Sequence, residues 1–219
     1  KRTPLSEFSN PRSGGIIAAG LKDDDRIQDV VATDGTGEVM LLSSAGRAIR
    51  FREDEISVFG RTAQGVKGMD LKKGQEVVGM VLIRREAAVL TVAADGVGKR
   101  TSVSEFPLQK RGGMGTLAVP SGGSGAPLVA AVEVLDGDEI MVVTSGGQVN
   151  RVAVEGIPLQ GRRTQGRSLV KVAAGDRVVE VTRTQGEGGA PAPAGAAPPP
   201  DVDDDEDDDE DEDQLDLLG

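Results

Sequence analysis

The chain has 219 residues and a formal net charge of −11, but the charge is unevenly distributed. Residues 201–219 hold 13 of the 36 acidic side chains and no lysine or arginine, which leaves 25 basic against 23 acidic side chains in residues 1–200. Cysteine, histidine, tyrosine and tryptophan are absent, which excludes disulfides, thiolate zinc sites, Ser-His or Cys-His nucleophiles and an aromatic platform for single-stranded bases.

From its start the chain is organised as a repeat of about fifty residues. One apolar run recurs at residues 39–42, 89–92 and 140–143, and a second recurs near Ile27 and at residues 77–81, 128–132 and 178–181. Short runs rich in β-branched residues are typical of strands, and no stretch before residue 185 keeps a helical period over three turns.

Each repeat therefore predicts four short strands, and the chain predicts about four such units. A single sheet of this size cannot bury both faces, so neighbouring sheets must pack side by side around a centre. The predicted fold is all-β, a propeller-like array of about four four-stranded blades.

Basic residues follow the same period at two places. The first place is a strand that follows a glycine turn, and it holds Arg50, Lys99, Arg100 and Arg151, with Arg2 in the first copy. Five residues beyond Arg2, Arg50 and Arg100 come Glu7, Glu55 and Glu105. The strand cations are interpreted either as DNA contacts or as solvated charges that discourage edge pairing.

The second place is a glycine-rich loop, at residues 10–15, 60–65, 109–115 and 161–167. Glycine lets a backbone approach a phosphate closely, and arginine offers a planar charged fork to its oxygens. An isolated loop of this kind could serve turn geometry alone, but four loops in register predict phosphate contacts. The predicted contacts are Arg12, Arg61, Gln109, Lys110, Arg111, Gly112, Gly113, Gly115, Arg162, Arg163 and Arg167.

The composition changes after residue 183. Residues 184–200 are rich in glycine, alanine and proline, and residues 201–219 are an aspartate and glutamate run. Neither segment can bury enough apolar surface to offset its ordering entropy. We expect a folded part at residues 1–183, a linker at 184–200 and a disordered acidic tail at 201–219.

The chain resembles the C-terminal domain of the DNA gyrase A subunit in several motifs. These are the fifty-residue repeat, the loop at residues 109–115, the Gly98-Lys99-Arg100-Thr101 segment, the loops containing Gly60-Arg61-Thr62 and Thr164-Gln165-Gly166, and the acidic end. In that family the domain is a six-bladed β-pinwheel with strands exchanged between blades, and this chain is similar to its third to sixth blades. The family's first-blade loop, Gln-Arg-Arg-Gly-Gly-Lys-Gly, differs from residues 109–115 at Lys110 and Met114.

This resemblance implies double-stranded DNA binding and wrapping that supports ATP-dependent negative supercoiling. The implied partners are DNA, the gyrase B subunit and a second gyrase A subunit in an A2B2 holoenzyme. The resemblance also implies that ATP and Mg are used by other domains or subunits. This chain has no tyrosine for a phosphotyrosyl link and no recurring pair of carboxylates. We expect it to be non-catalytic, to hold no cofactor or metal, and to be cytoplasmic and nucleoid-associated with no membrane partner.

Two alternatives remain open at this point. The topoisomerase IV A subunit is a close relative whose C-terminal domain has more degenerate blades. A propeller can also be a protein-interaction platform, on which the same loops would bind an acidic partner.

Overall fold

The computed structural model describes residues 1–22, 25–83, 87–120 and 125–184. The predicted linker, apart from Thr184, and the predicted acidic tail lie outside these ranges. Within them, no helix is long and apolar enough to cross a membrane.

The described ranges contain eleven strands and four short 3-10 turns. The strands are β1 Glu38–Ser43, β2 Arg47–Arg52, β3 Val77–Ile83, β4 Ala88–Ala93, β5 Val97–Ser102, β6 Thr116–Leu117, β7 Leu128–Val134, β8 Glu139–Thr144, β9 Val149–Ala153, β10 Arg167–Ser168 and β11 Val178–Thr184. The 3-10 turns are Leu5–Phe8, Glu53–Glu55, Val103–Glu105 and Val154–Gly156. The predicted all-β class is confirmed.

Three antiparallel sheets are built around three hairpins, β1-β2, β4-β5 and β8-β9. The strand orders are β3-β1-β2-β6, β10-β5-β4-β7 and β11-β8-β9. In each sheet the long outer strand comes from the following repeat unit, and in the first two sheets a two-residue strand from a later loop adds to the other edge. In these pairs, Arg47 lies opposite Leu117 and Arg167 opposite Gly98. The strand exchange that the resemblance implied is therefore present.

The first copy of the repeat does not form a sheet in the described residues. Its one strand pairing there is a parallel bridge between Arg2 and Val58. Ile27 aligns with Val77 of β3, but the described residues before Ile27 contain no hairpin with which its segment could pair. The described part of the chain thus holds three sheets where the repeat predicted about four blades.

Two apolar layers lie between neighbouring sheets, and a third cluster packs Val39, Ile49 and Phe51 of the first sheet against Met69. Every residue of β4 is buried, and its side chains alternate between two layers as the strand period requires. Val89 packs with the first sheet, beside Met40 and Leu42, whereas Leu90 and Val92 pack with the third sheet. Burying a side chain of this size contributes about 1.5–3 kcal/mol, so the second sheet holds its two neighbours together.

Candidate nucleic-acid interface

Each glycine-rich loop follows a 3-10 turn and has a glycine with a left-handed backbone at or next to its last position. The loops at residues 109–115 and 161–167 lead into the two-residue strands β6 and β10. At Gly115 φ is +69°, and an added Cβ would lie 2.2 Å from the carbonyl oxygen of Ala48. At Gly166 φ is +88°, and the Cβ would lie 2.5 Å from the carbonyl oxygen of Gly98. Only glycine fits here, because the loop turns directly onto the edge of the preceding hairpin.

Three loop arginines connect successive loops, and we call Arg61, Arg111 and Arg162 the latch arginines. Each donates from Nη1 to a carbonyl just beyond the previous loop: Arg61 to Ile17 at 2.7 Å, Arg111 to Lys67 at 3.0 Å and Arg162 to Leu117 at 2.9 Å. All three side chains belong to partly buried residues. The repeat period that predicted phosphate contacts at these positions thus also aligns them with protein carbonyls.

Glutamate side chains hold two of these loops by accepting hydrogen bonds from their backbone N–H groups. The Glu105 carboxylate accepts a hydrogen bond from the backbone N–H of Arg162 at 3.0 Å, and that of Glu55 accepts one from the N–H of Arg111 at 3.4 Å. The Arg162 guanidinium also lies 5.9 Å from the centre of the Phe106 ring. The sequence showed the period of these glutamates but not their role.

The strand arginines share one position of the repeat but differ in their surroundings. Arg50 pairs with Glu38 at 2.5 Å and donates to the carbonyls of Val103 and Phe106 at 3.0 and 3.1 Å. Arg100 likewise pairs with Asp136 and donates to a carbonyl, that of Ile157.

Arg151, at the same position, pairs with Glu139, and its side chain is 53% exposed. The structure therefore places Arg50 and Arg100 between sheets and leaves Arg151 at the surface.

Lys99 is buried, contrary to the surface position that the sequence predicted. Its ammonium donates to the carbonyls of Gly161, Arg162 and Thr164 at 2.9, 2.7 and 2.8 Å. Burial lowers the pKa of Lys99 to about 8, while the nearby Glu105 carboxylate raises it and Arg162 lowers it further.

The remaining predicted cations are exposed. Arg12, Lys110 and Arg163 donate no side-chain hydrogen bond to the residues that the structure describes, whereas Arg167 donates to the carbonyl of Gly156. These four side chains are the loop cations that a ligand can reach most easily.

The backbone of the loop at residues 109–115 is partly committed to other contacts. The N–H of Gln109 donates to the carbonyl of Arg50 at 2.7 Å, and that of Gly112 donates to the carbonyl of Gly68 at 2.6 Å. The carbonyl of Gly113 accepts from the N–H of Asp70 at 2.8 Å. This part of the predicted site therefore contacts β2 and the segment that follows the preceding loop, and its backbone is only partly available to a ligand.

Comparison with known proteins decides the family. A family model described as the DNA gyrase C-terminal domain, beta-propeller, matches residues 1–34, 37–84, 88–120 and 138–185. The chain belongs to this family. The DNA gyrase A subunit of Pseudomonas aeruginosa is 44% identical over 185 residues, which cover 84% of this chain and 20% of that protein. The chain thus spans about a fifth of the length of the curated relatives it matches.

Two solved structures share the fold of this gyrase-family chain. The crystal structure of the C-terminal domain of DNA topoisomerase IV superposes with a TM-score of 0.80 at 28% identity, covering 84% of this chain and 58% of that one. A structure of a DNA gyrase A C-terminal domain superposes with a TM-score of 0.74 at 26% identity, covering 83% and 60%. The family resemblance inferred from the motifs is confirmed.

No group of three or more side chains in the described part of this gyrase-family chain could hold a metal ion. The glycine-rich loops carry exposed cationic side chains, and hydrogen bonds to glutamates hold two of these loops, at residues 109–115 and 161–167. Such side chains offer charged donors to an anionic ligand, with contacts that do not depend on nucleotide sequence.

Proposed function

We propose that this chain binds and wraps double-stranded DNA through its glycine-rich loops, as the C-terminal part of a DNA gyrase A subunit. The observation that supports this proposal is that Arg12, Lys110 and Arg163 are exposed on three of the four glycine-rich loops, and that hydrogen bonds to Glu55 and Glu105 hold the loops of Lys110 and Arg163. Backbone phosphates lie at regular intervals along a duplex, so cations on successive repeat units match such a ligand.

The proposed interface is narrower than the one the sequence predicted. We assign its main contacts to Arg12, Lys110, Arg163 and Arg167, with Arg151 at one side. The latch arginines keep unused N–H donors and can add to these contacts, because each guanidinium has five. We omit Lys99, since its ammonium is buried among carbonyls, and place Arg50 and Arg100 in a structural role.

A duplex is favoured over a single strand. Binders of single strands stack bases on exposed aromatic rings. This chain has four phenylalanines and no tyrosine or tryptophan, and Phe51 and Phe106 are buried in the core. Charge is then the main attraction that the loops can offer.

We propose further that wrapping supports ATP-dependent negative supercoiling by a holoenzyme of two A and two B subunits. The similarity to the DNA gyrase A subunit supports this assignment. ATP and Mg would be held by other domains or subunits, with strand cleavage performed elsewhere, because this chain has no tyrosine. Its proposed place of action is the bacterial nucleoid, in the cytoplasm.

A second candidate is the C-terminal domain of a topoisomerase IV. The superposition with a TM-score of 0.80 favours this alternative, whereas the 44% identity to a gyrase A subunit favours gyrase. Ligation of a nicked plasmid in the presence of the chain tests wrapping directly. A positive shift in linking number is expected of the gyrase role, and an unchanged distribution would contradict wrapping.

A mobility-shift titration with linear duplex, between about 50 and 200 mM salt, tests the interface. Three engaged phosphates give a log-log salt slope of about −3, and six give about −5. Lys110→Ala and Arg163→Ala should each weaken binding on all sequences and reduce the slope by about 1.

Arg52→Ala is the matched control for this titration. It removes one charge as well, but Arg52 is an exposed side chain paired with Asp54 outside the loops, so binding should be unchanged. Binding that does not depend on salt or on the loop variants would instead support a protein-interaction platform.

A further inference from the structure

One glycine-rich loop is built around a buried lysine from the preceding repeat unit. The Lys99 ammonium has three N–H donors, and three carbonyls of the loop accept from it, those of Gly161, Arg162 and Thr164. A buried charge is tolerated only when it is fully hydrogen-bonded. The backbone of this loop therefore has its carbonyls turned inwards, towards Lys99.

Arg163 lies between two of the residues that Lys99 holds. The carbonyls of Arg162 and Thr164, on either side of it, both bind the ammonium, and the N–H of Arg162 is bound by Glu105 at 3.0 Å. The Thr164 hydroxyl also donates to the Gln160 side chain at 2.9 Å. Arg163 itself is exposed and donates to none of the described residues.

The other repeat units provide an internal comparison. Lys1 precedes Arg2 as Lys99 precedes Arg100, and its ammonium donates to the carbonyls of Gly60 and Arg61 in the next loop. In the intervening unit this position is Ile49, which is buried beneath the loop at residues 109–115. That loop has its exposed cation, Lys110, just before the latch arginine Arg111, whereas Arg163 comes just after the latch arginine Arg162.

We propose that Lys99 is a positioning residue for the nucleic-acid interface, holding the carbonyls around Arg163 so that this side chain is presented to a DNA phosphate. The proposal rests on the proposed function. It assigns no DNA contact to Lys99 itself, and it predicts that the contributions of Lys99 and Arg163 to DNA affinity are coupled whereas those of Lys99 and Lys110 are independent.

A double-mutant cycle on the full chain tests this coupling with linear duplex at fixed salt. Arg163→Ala and Lys110→Ala should each weaken binding about fivefold, the scale of one exposed ion pair. Lys99→Met should weaken it about as much as Arg163→Ala. Adding Arg163→Ala to Lys99→Met should cost nothing more, while adding Lys110→Ala should cost the full fivefold again.

The cycle separates the two proposals. If Lys110→Ala and Arg163→Ala each bind like the unaltered chain, the proposed interface fails. If they weaken binding but Lys99→Met either has no effect or multiplies with Arg163→Ala, only the positioning role of Lys99 fails.

A pH titration of binding needs no variant at Lys99 and decides the question if Lys99→Met does not fold. The charged groups that act on Lys99 are Glu105 and Arg162, and its pKa is about 8. Above that pH the amine keeps two donors for three carbonyls. Affinity should then fall between pH 7 and about 9 in the unaltered chain but not in Arg163→Ala, and parallel pH profiles would overturn the proposal.

Discussion

Arg50, Arg100 and Arg151 occupy one position of the repeat, yet their environments depend on what the next unit supplies. Arg50 and Arg100 donate to carbonyls at the 3-10 turn of the following unit. The described residues contain no further unit after that of Arg151 whose 3-10 turn could accept from it, so only the pair with Glu139 remains. Identical residues at one position of the repeat therefore contribute differently to the stability of the fold, according to their neighbours.

Replacing Arg50 should destabilise the chain more than replacing Arg151. Arg50→Met leaves the Phe106 carbonyl and the Glu38 carboxylate without their arginine donor, while the Val103 carbonyl keeps the N–H of Phe106, so the free energy of unfolding should fall by about 2–3 kcal/mol. Arg151→Met should cost less than about 1 kcal/mol, because its ion pair is exposed. Urea denaturation followed by far-UV circular dichroism measures both, and equal losses would contradict the assignment.

The low pKa of Lys99 predicts how stability depends on pH. The pKa is about 8 in the folded chain, below the ordinary value of 10.5, so between these two values the unfolded chain binds more protons. The contribution of Lys99 to the free energy of unfolding should therefore rise from about pH 8 to 10.5. Urea denaturation of the unaltered chain and of Lys99→Met at about pH 8 and pH 10.5 isolates the contribution of this residue. A difference in the free energy of unfolding between the two chains that stays constant or falls with pH would refute the prediction.

At the scale of elements, the exchanged strands β6 and β10 are two residues long. The glycines that precede them, Gly115 and Gly166, bring these strands onto the hairpin edges. The close approach of Gly115 to the Ala48 carbonyl leaves no space for a side chain. So short a strand has few contacts of its own, and its pairing depends on that approach.

Gly115→Ala should weaken the β2-β6 pairing. Gly137→Ala is the control, because Gly137 also has a positive φ, +87°, but open space around it. Both variants carry the left-handed backbone cost of about 1–2 kcal/mol, and Gly115→Ala adds the clash, so its melting temperature should be clearly lower. Hydrogen exchange should locate the loss at β2 and β6, and equal melting temperatures would contradict this account.

The sequence predicted these elements better than it predicted the site. The fifty-residue period identified the hairpin strands, because burial of alternating or continuous apolar runs is a local property. Whether Arg50, Arg61 or Lys99 reaches solvent depends on the distance to a carbonyl of another unit, some 44 to 65 residues away. No pattern within a single sequence supplies that distance, so buried and exposed cations looked alike.

At the scale of the whole molecule, the second sheet contributes to the layers on both of its sides. Leu90→Ala should therefore lower the free energy of unfolding by about 2–5 kcal/mol. If the three sheets unfold together, hydrogen exchange should accelerate in β1 as well as in β8. Faster exchange confined to β8 and its neighbours would instead show that the sheets open independently, as in a linear repeat array.

The latch arginines have a consequence for any long ligand. Because Arg111 is tied to the carbonyl of Lys67 and Arg162 to that of Leu117, the step from one loop to the next is set by internal bonds. The spacing between the loops is therefore fixed within the protein. A polymer that contacts several loops has to bend to match this spacing, and bending a stiffer polymer takes a larger share of the binding free energy.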